Sequence, residues 1–103
     1  MNAATLWPTD SVRIVSGEAS LGTYAKMPRS QRKHCTQCGS NVMNAHYDEG
    51  MIDIFAPNIE GFSFQPTMHV HYQERLVDFP DELPKFADLP KDFGGTDELM
   101  EDR

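Results

Sequence analysis

The only two cysteines of the chain stand three positions apart, in the run Cys35-Thr36-Gln37-Cys38-Gly39. In a turn of this form both sulfurs can face one ion, and backbone N–H groups of the turn can donate to them. Gly39 removes the steric cost of the left-handed conformation that is often required just after the second ligand. Zinc lowers thiol pKa values, so both cysteines would bind it as thiolates. The spacing therefore predicts zinc as the cofactor and Cys35 and Cys38 as metal ligands.

Two other interpretations of the cysteine pair stay open. A redox C-x-x-C normally opens a helix in a βαβ unit, whereas the sequence around residues 35–39 predicts no helix. Two inert cysteines near a turn are the second alternative, because C-x-x-C spacing alone is only moderately specific. A single pair also supplies only half of the four ligands of a structural zinc site.

Histidines are the first source of further ligands to consider. The chain has four of them: His34, His46, His69 and His71. His34 is adjacent to Cys35, and neighbouring side chains on a strand point to opposite faces, which makes it a poor co-ligand. His69 and His71 share one face of a predicted strand, so they are either a candidate ligand pair or the solvated side of that strand.

A basic cluster precedes the cysteines and consists of Arg29, Arg32 and Lys33. Nearby cations would offset the negative charge of a thiolate zinc site. The same cluster could bind an anionic substrate such as a thiol peptide, or it could be an ordinary exposed strand.

The pattern of apolar residues and turn residues predicts short strands. Val12 to Val15 and Leu21 to Lys26 predict one hairpin. Val42 to Tyr47 and Met51 to Ala56 predict a second hairpin around a short Gly-containing loop. Pro66 to Gln73 alternates with period two and predicts a further strand.

The last part of the chain has a different character. Beyond Phe79, prolines and glycines exclude long regular elements. Residues 96–103 include four acidic residues and one basic residue and predict a disordered tail. No helix of ten or more residues is predicted. We therefore expect a mainly β, small antiparallel domain over residues 1–95, with a coil-rich C-terminal part and a tail over 96–103.

Composition limits the function classes. A length of 103 residues fits one domain. The net charge of −7 argues against a nucleic-acid partner, because phosphate binding needs a positive surface. No apolar run approaches the ~20 residues of a membrane span. The start of the chain is not that of a signal peptide, and two cysteines do not form a secreted disulfide framework. A reducing, cytoplasmic compartment is expected.

Several segments, in their order and spacing, carry a resemblance that spans about Asn2 to Gly95. The segments are Leu6-Trp7-Pro8, Val12-Arg13-Ile14, Tyr24, Pro28-Arg29-Ser30, Arg32 to Gly39, Met68 to Arg75, Leu83 to Pro90, and Phe93-Gly94-Gly95. Together they resemble the glutathione-dependent formaldehyde-activating enzyme family, also called the centromere-protein-V-like or aldehyde-activating family.

The resemblance implies a β-tent, in which two or three small antiparallel sheets meet around a structural zinc. It implies that Cys35 and Cys38 are the downstream half of that zinc site, whose upstream half is a C-x-C. A further upstream cysteine cluster of the family holds a second zinc associated with catalysis. The implied activity is that of a carbon–sulfur lyase, which forms or cleaves the adduct of glutathione with formaldehyde. The implied partner is a small thiol or a thiol–aldehyde adduct.

This sequence departs from the family pattern, because it has no cysteine before Cys35. We therefore expect an N-terminally truncated member that binds zinc and is incomplete and inactive alone, with its catalytic residues unknown. The alternative is a non-catalytic zinc-stabilised β-module that binds a protein partner or forms a homodimer. In such a dimer two C-x-x-C pairs would form one four-cysteine site.

Overall fold

The computed structural model describes residues 2–102, which divide into two compact units, one ending at Phe64 and the other beginning at Gln65. Five strands lie in the first unit: β1 (Ala4–Pro8), β2 (Leu21–Met27), β3 (Ser30–Cys35), β4 (Asn41–His46) and β5 (Met51–Phe55). They form one antiparallel sheet in the order β1-β5-β4-β3-β2. The prediction of a mainly β protein is confirmed. The finer arrangement, several small sheets around zinc, stays a prediction.

The apolar core of the first unit lies on one face of the β4–β5 pair. Met43 is opposite Ile54, and Ala45 is opposite Ile52. All four side chains are buried, since alternate residues of a strand point to the same face. Further partly buried apolar residues pack on this cluster: Trp7, Val12, Val42 and Ile59.

The same face of the sheet becomes polar from β4 to β3. Lys33 of β3 is opposite Met43, and its Nζ donates to Thr23 Oγ1 at 3.0 Å and to Gln31 Oε1 at 3.4 Å. The lysine stem covers the edge of the core while its ammonium group is hydrogen-bonded above it. The buried cluster itself is therefore confined to β4 and β5.

One of the two predicted hairpins is confirmed. The segments 42–47 and 51–56 correspond to β4 and β5, and Gly50 between them has a left-handed φ of 69°. The other prediction is wrong, because β2 pairs with β3 and the residues from Val12 to Val15 form no strand. Val15 is 63% exposed, so the β-branched residues of this segment do not indicate a buried strand.

All helical segments among the described residues are single 3₁₀ turns. They are Thr9–Ser11, Glu18–Ser20, Tyr47–Glu49, Ala56–Asn58, Tyr72–Glu74 and Lys91–Phe93. The prediction that no helix reaches ten residues is confirmed for residues 2–102. Within the same residues no helix has the length and apolar character that crossing a membrane requires.

The predicted strand from Pro66 to Gln73 is wrong. His71 has a left-handed φ of 51°, which interrupts an extended chain. Only an isolated bridge forms there, between His69 and Lys85. The alternation is broken as well: Tyr72 is 2% exposed, whereas Val70, predicted on the same face, is 43% exposed.

Tyr72 is the centre of the second unit. Its hydroxyl donates to the carboxylate of Asp102 and accepts the backbone N–H of Phe79 at 2.9 Å. The guanidinium carbon of Arg75 lies 4.2 Å from the ring centroid, a cation–π contact. Burial, with the Asp102 hydrogen bond second, raises the pKa of Tyr72. The neutral phenol therefore serves as a buried hydrogen-bonding junction.

Backbone hydrogen bonds join the end of the chain to residues 85–91. Ala87 donates to the Glu98 carbonyl and Met100 to the Lys85 carbonyl, each at 2.8 Å. The predicted domain over 1–95 and the predicted disorder of 96–103 stay predictions. Met1 and Arg103, the end residues of those ranges, lie outside the described residues.

Asp88 organises the irregular segment that follows it. Its Oδ1 accepts the N–H of Leu89 at 2.6 Å, and both the N–H and the hydroxyl of Thr96, at 3.1 and 2.8 Å. These donors, the Thr96 hydroxyl foremost, hold the pKa of Asp88 below its ordinary value of 3.8. The ionised carboxylate therefore closes the loop from 88 to 96.

We expect the second unit to lose stability in acid through Asp88. Since its pKa is lowered by folding, its contribution is complete above pH 3.8 and disappears as pH falls through the lower folded-state pKa. NMR titration of its carboxyl carbon should show that Thr96→Val moves the pKa up toward 3.8. In a plot of the free energy of unfolding against pH, Asp88→Asn should reduce the loss of stability in acid. The exposed control Asp92→Asn should not change it. If Thr96→Val leaves the titration midpoint of Asp88 unchanged, this role is contradicted.

Candidate metal centre

The two cysteines lie at the turn between β3 and β4. Cys35 is the last residue of β3, and Asn41 is the first residue of β4. The N–H of Cys35 donates to the Ser40 carbonyl at 2.9 Å, and the N–H of Gly39 donates to the Cys35 carbonyl at 2.8 Å. Gly39 has a left-handed φ of 81°, as the sequence predicted. We call residues 35–40 the cysteine turn.

A second set of hydrogen bonds ties the cysteine turn to Ser20, the residue before β2. The carbonyl of Ser20 accepts both the N–H and the hydroxyl of Thr36, each at 2.8 Å. The amide of Gln37 donates to the Ser20 hydroxyl at 3.0 Å. The turn is therefore fixed from both sides, by its own closure and by the neighbouring segment.

Both cysteines are free thiols; Cys35 is half-buried and Cys38 is exposed. The Cys38 thiol donates to Ser40 Oγ at 3.2 Å, and once the sulfur is a thiolate the hydroxyl can donate to it instead. This Ser40 hydroxyl is the main cause that lowers the pKa of Cys38 below 9.0. The Ser40 N–H and the Cys35 thiol act in the same direction. The turn thus stabilises a thiolate.

The donor set of the cysteine turn fits half of a zinc site. Two thiols held in one turn, with the Ser40 hydroxyl oxygen 3.2 Å from the Cys38 sulfur, are the ligand type that zinc prefers. Among residues 2–102, no His, Cys, Asp or Glu joins the pair to make a group of three. The described residues therefore bring together two ligands of the four that a structural zinc needs.

His34 and His46 are engaged within the sheet. His34 is opposite Gly22 on β2, and a Cβ at Gly22 would lie 2.7 Å from His34 Nε2. The imidazole therefore covers the space that a side chain at Gly22 would fill. His46 Nε2 lies 3.4 Å from Asp53 Oδ2.

His69 has a carboxylate partner in the second unit. Its Nε2 lies 2.7 Å from Asp81 Oδ2, and its ring stacks on Phe79 at 5.1 Å between centroids. The His69 hydrogen bond is the main cause that lowers the pKa of Asp81. The side chain of Lys85, largely buried, donates to the same carboxylate and to the Asp81 carbonyl, at 3.3 and 2.9 Å. This network ties the loop at residue 81 to Lys85 and to His69.

The predicted pairing of His69 with His71 on one strand face has no basis in the structure. No strand forms there, and the left-handed φ of His71 breaks the alternation on which that pairing depended. A role of either histidine as zinc ligand stays a prediction.

The three residues of the basic cluster before the cysteine turn differ in their exposure and in their contacts. Arg29 and Arg32 are exposed, whereas Lys33 is held by Thr23 and Gln31. Lys33 also lines an open groove of about 540 Å³ above Met43 and Ile52. Only the two arginines are therefore presented to solvent at the surface.

Sequence reasoning missed Ser40 and Ser20, the two residues that hold the turn. A serine two positions after the second cysteine is a local signal that could have been used. Ser20 carries no such signal, because its contact with the turn depends on how β2 pairs with β3.

Comparisons with protein-family models, with curated proteins and with solved structures found no match. The resemblance described above therefore stays a prediction.

Gly39 offers a test of the turn geometry. Its φ of 81° is in the region that favours glycine, and a Cβ there would meet nothing within 4 Å. We expect Gly39→Ala to destabilise the turn by about 1 kcal/mol, purely through backbone conformation. Gly39→Asn should cost less, since asparagine adopts this conformation more readily. Urea unfolding followed by Trp7 fluorescence would measure both, and equal effects of the two variants would contradict the assignment.

Proposed function

We propose that this chain is a zinc-binding β-module whose cysteine turn supplies two thiolate ligands. The observation that carries the proposal is the closure of the turn around Cys35 and Cys38, with Gly39 left-handed and the Ser40 hydroxyl at the Cys38 sulfur. Zinc bound there would cross-link the ends of β3 and β4. Its role would be structural where four protein ligands close its coordination.

The alternatives for the cysteine pair have less support. A redox pair would open a helix, whereas these cysteines stand between two antiparallel strands. Inert cysteines need no hydrogen-bonding partner at a sulfur, whereas the Ser40 hydroxyl oxygen lies 3.2 Å from the Cys38 sulfur.

The proposal extends to the reaction class through the resemblance. We propose that the module is an incomplete member, inactive alone, of the carbon–sulfur lyase class that acts on the adduct of glutathione with formaldehyde, with a small thiol or its adduct as partner. Arg29 and Arg32 are exposed and would be able to meet a carboxylate of such a thiol. The module is proposed to be cytoplasmic, where thiols stay reduced.

Zinc binding is tested by titrating the metal-free chain with Zn²⁺ against a coloured chelator. Cys35→Ser and Cys38→Ser should each lower the affinity by about 100-fold or more, because one of two protein ligands is lost. Asp92→Asn, at an exposed residue, is the control, and its affinity should equal that of the unmodified chain. His69→Ala and His71→Ala test the two candidate histidine ligands, and we expect them to leave the affinity unchanged. Retained affinity in both cysteine variants would refute the proposed site.

The expected inactivity of the chain alone is tested separately, by following the adduct of glutathione with formaldehyde by NMR. We expect the zinc-loaded chain alone to leave the spontaneous rate unchanged, since both of its cysteines are committed to a structural site. The chain that carries both Arg29→Ala and Arg32→Ala serves as the control. An acceleration that depends on zinc and on these arginines would show instead that the chain is a complete enzyme.

A further inference from the structure

We propose that two copies of this chain share one zinc ion, each copy supplying Cys35 and Cys38, so that the ion joins a two-fold symmetric dimer. This inference rests on the proposed function, because it requires that the cysteine turn binds zinc. It adds the identity of the remaining ligands and of the partner, which is a second copy of this chain.

The cysteine turn is accessible to a second chain. It forms the end of the β3–β4 hairpin, and each residue from Thr36 to Ser40 is exposed. One turn occupies two positions of a tetrahedral ion, and the other two positions remain for ligands from outside the turn. Within residues 2–102 no third acidic, histidine or cysteine side chain is grouped with the pair. The turn is thus an open half-site on the surface.

Symmetry favours an identical turn as the other half. Two ligand pairs on a tetrahedron are related by a two-fold axis through the metal, which is the symmetry of the commonest protein dimers. The same patch then contacts itself, and the assembly closes at two chains. Any other protein partner would have to supply its own pair of thiolates. A second copy of this chain already has such a pair.

The charge distribution also favours contact at this place. Two chains with a net charge of −7 each repel one another, and 24% of the residues are charged. Residues 35–41, Cys-Thr-Gln-Cys-Gly-Ser-Asn, include no charged side chain apart from the thiols themselves. Two copies can therefore meet here without bringing carboxylates together.

The turn needs little rearrangement to bind the ion. Its closure by the Cys35 and Gly39 N–H groups and its attachment to Ser20 order the backbone beforehand. Pre-ordered ligands reduce the entropy lost on binding, so two surface turns can compete with water and small thiols for the metal.

Native mass spectrometry of the purified 103-residue chain, titrated with Zn²⁺, tests the inference. We expect one zinc per two chains, and complete return to monomers when a chelator removes the metal. Cobalt in place of zinc should give the absorption of a tetrahedral four-thiolate site. Mixing ¹⁵N-labelled and unlabelled chains should give mixed dimers that hold a single zinc.

Cys38→Ser should lose both the zinc and the dimer, whereas the exposed control Asp92→Asn should keep both. Circular dichroism of the variants checks the fold, which an exposed substitution such as Cys38→Ser should leave intact. Chelation of the unmodified chain makes the same comparison without any substitution.

The contrary outcomes separate the two proposals. One zinc per monomer would overturn the sharing and leave zinc binding in place. A dimer that persists after chelation, or in Cys38→Ser, would also overturn the bridging role of the metal. No zinc bound under any condition would overturn both the shared site and the proposed function.

Discussion

Met43 and Ala45 on β4 lie opposite Ile54 and Ile52 on β5, and these four side chains form the buried cluster of the first unit. If either strand slipped by one residue, its own two core side chains would turn to the opposite face of the sheet. Fully burying one such Ile or Met side chain is worth about 1.5–3 kcal/mol, so the register is strongly specified. β1 and β3 pair with the outer edges of this ribbon and take their position from it.

The position of the cysteine turn follows from that register. β3 pairs with β4 so that Lys33 is opposite Met43, and the register shifts immediately afterwards, with His34 opposite Asn41. This irregularity ends the regular β3–β4 ladder. Residues 35–40 beyond it form the turn, which is closed by hydrogen bonds between its own backbone groups. The pairing of β3 with β2 then brings Ser20 beside Thr36. The position of the candidate site therefore depends on two strand pairings in which Cys35 is the only proposed metal ligand.

The sequence predicts those features that depend on residues close together in the chain. Alternating apolar residues and Gly50 are sufficient to predict β4 and β5, and the C-x-x-C-G spacing predicts a left-handed Gly39. β3 could not be predicted, because Gln31 and Lys33 present polar groups where a strand usually shows its apolar face. The contact of Ser20 with the turn could not be predicted either, since it requires the β2–β3 partnership. In the second unit, the period-two pattern of residues 66–73 is broken by the backbone of His71.

The two units are stabilised in different ways, and this explains why a metal cross-link would matter more in the first. The second unit consists of irregular chain whose carboxylates, Asp81, Asp88 and Asp102, accept hydrogen bonds from side chains and backbone. The first unit has one buried cluster on one side of its sheet, and β2 and β3 lie beyond that cluster. Their pairing is held by backbone hydrogen bonds and by polar contacts such as Lys33 to Thr23. Zinc at the cysteine turn would fix the junction of β3 with β4, and through Ser20 also the start of β2, where apolar packing contributes least.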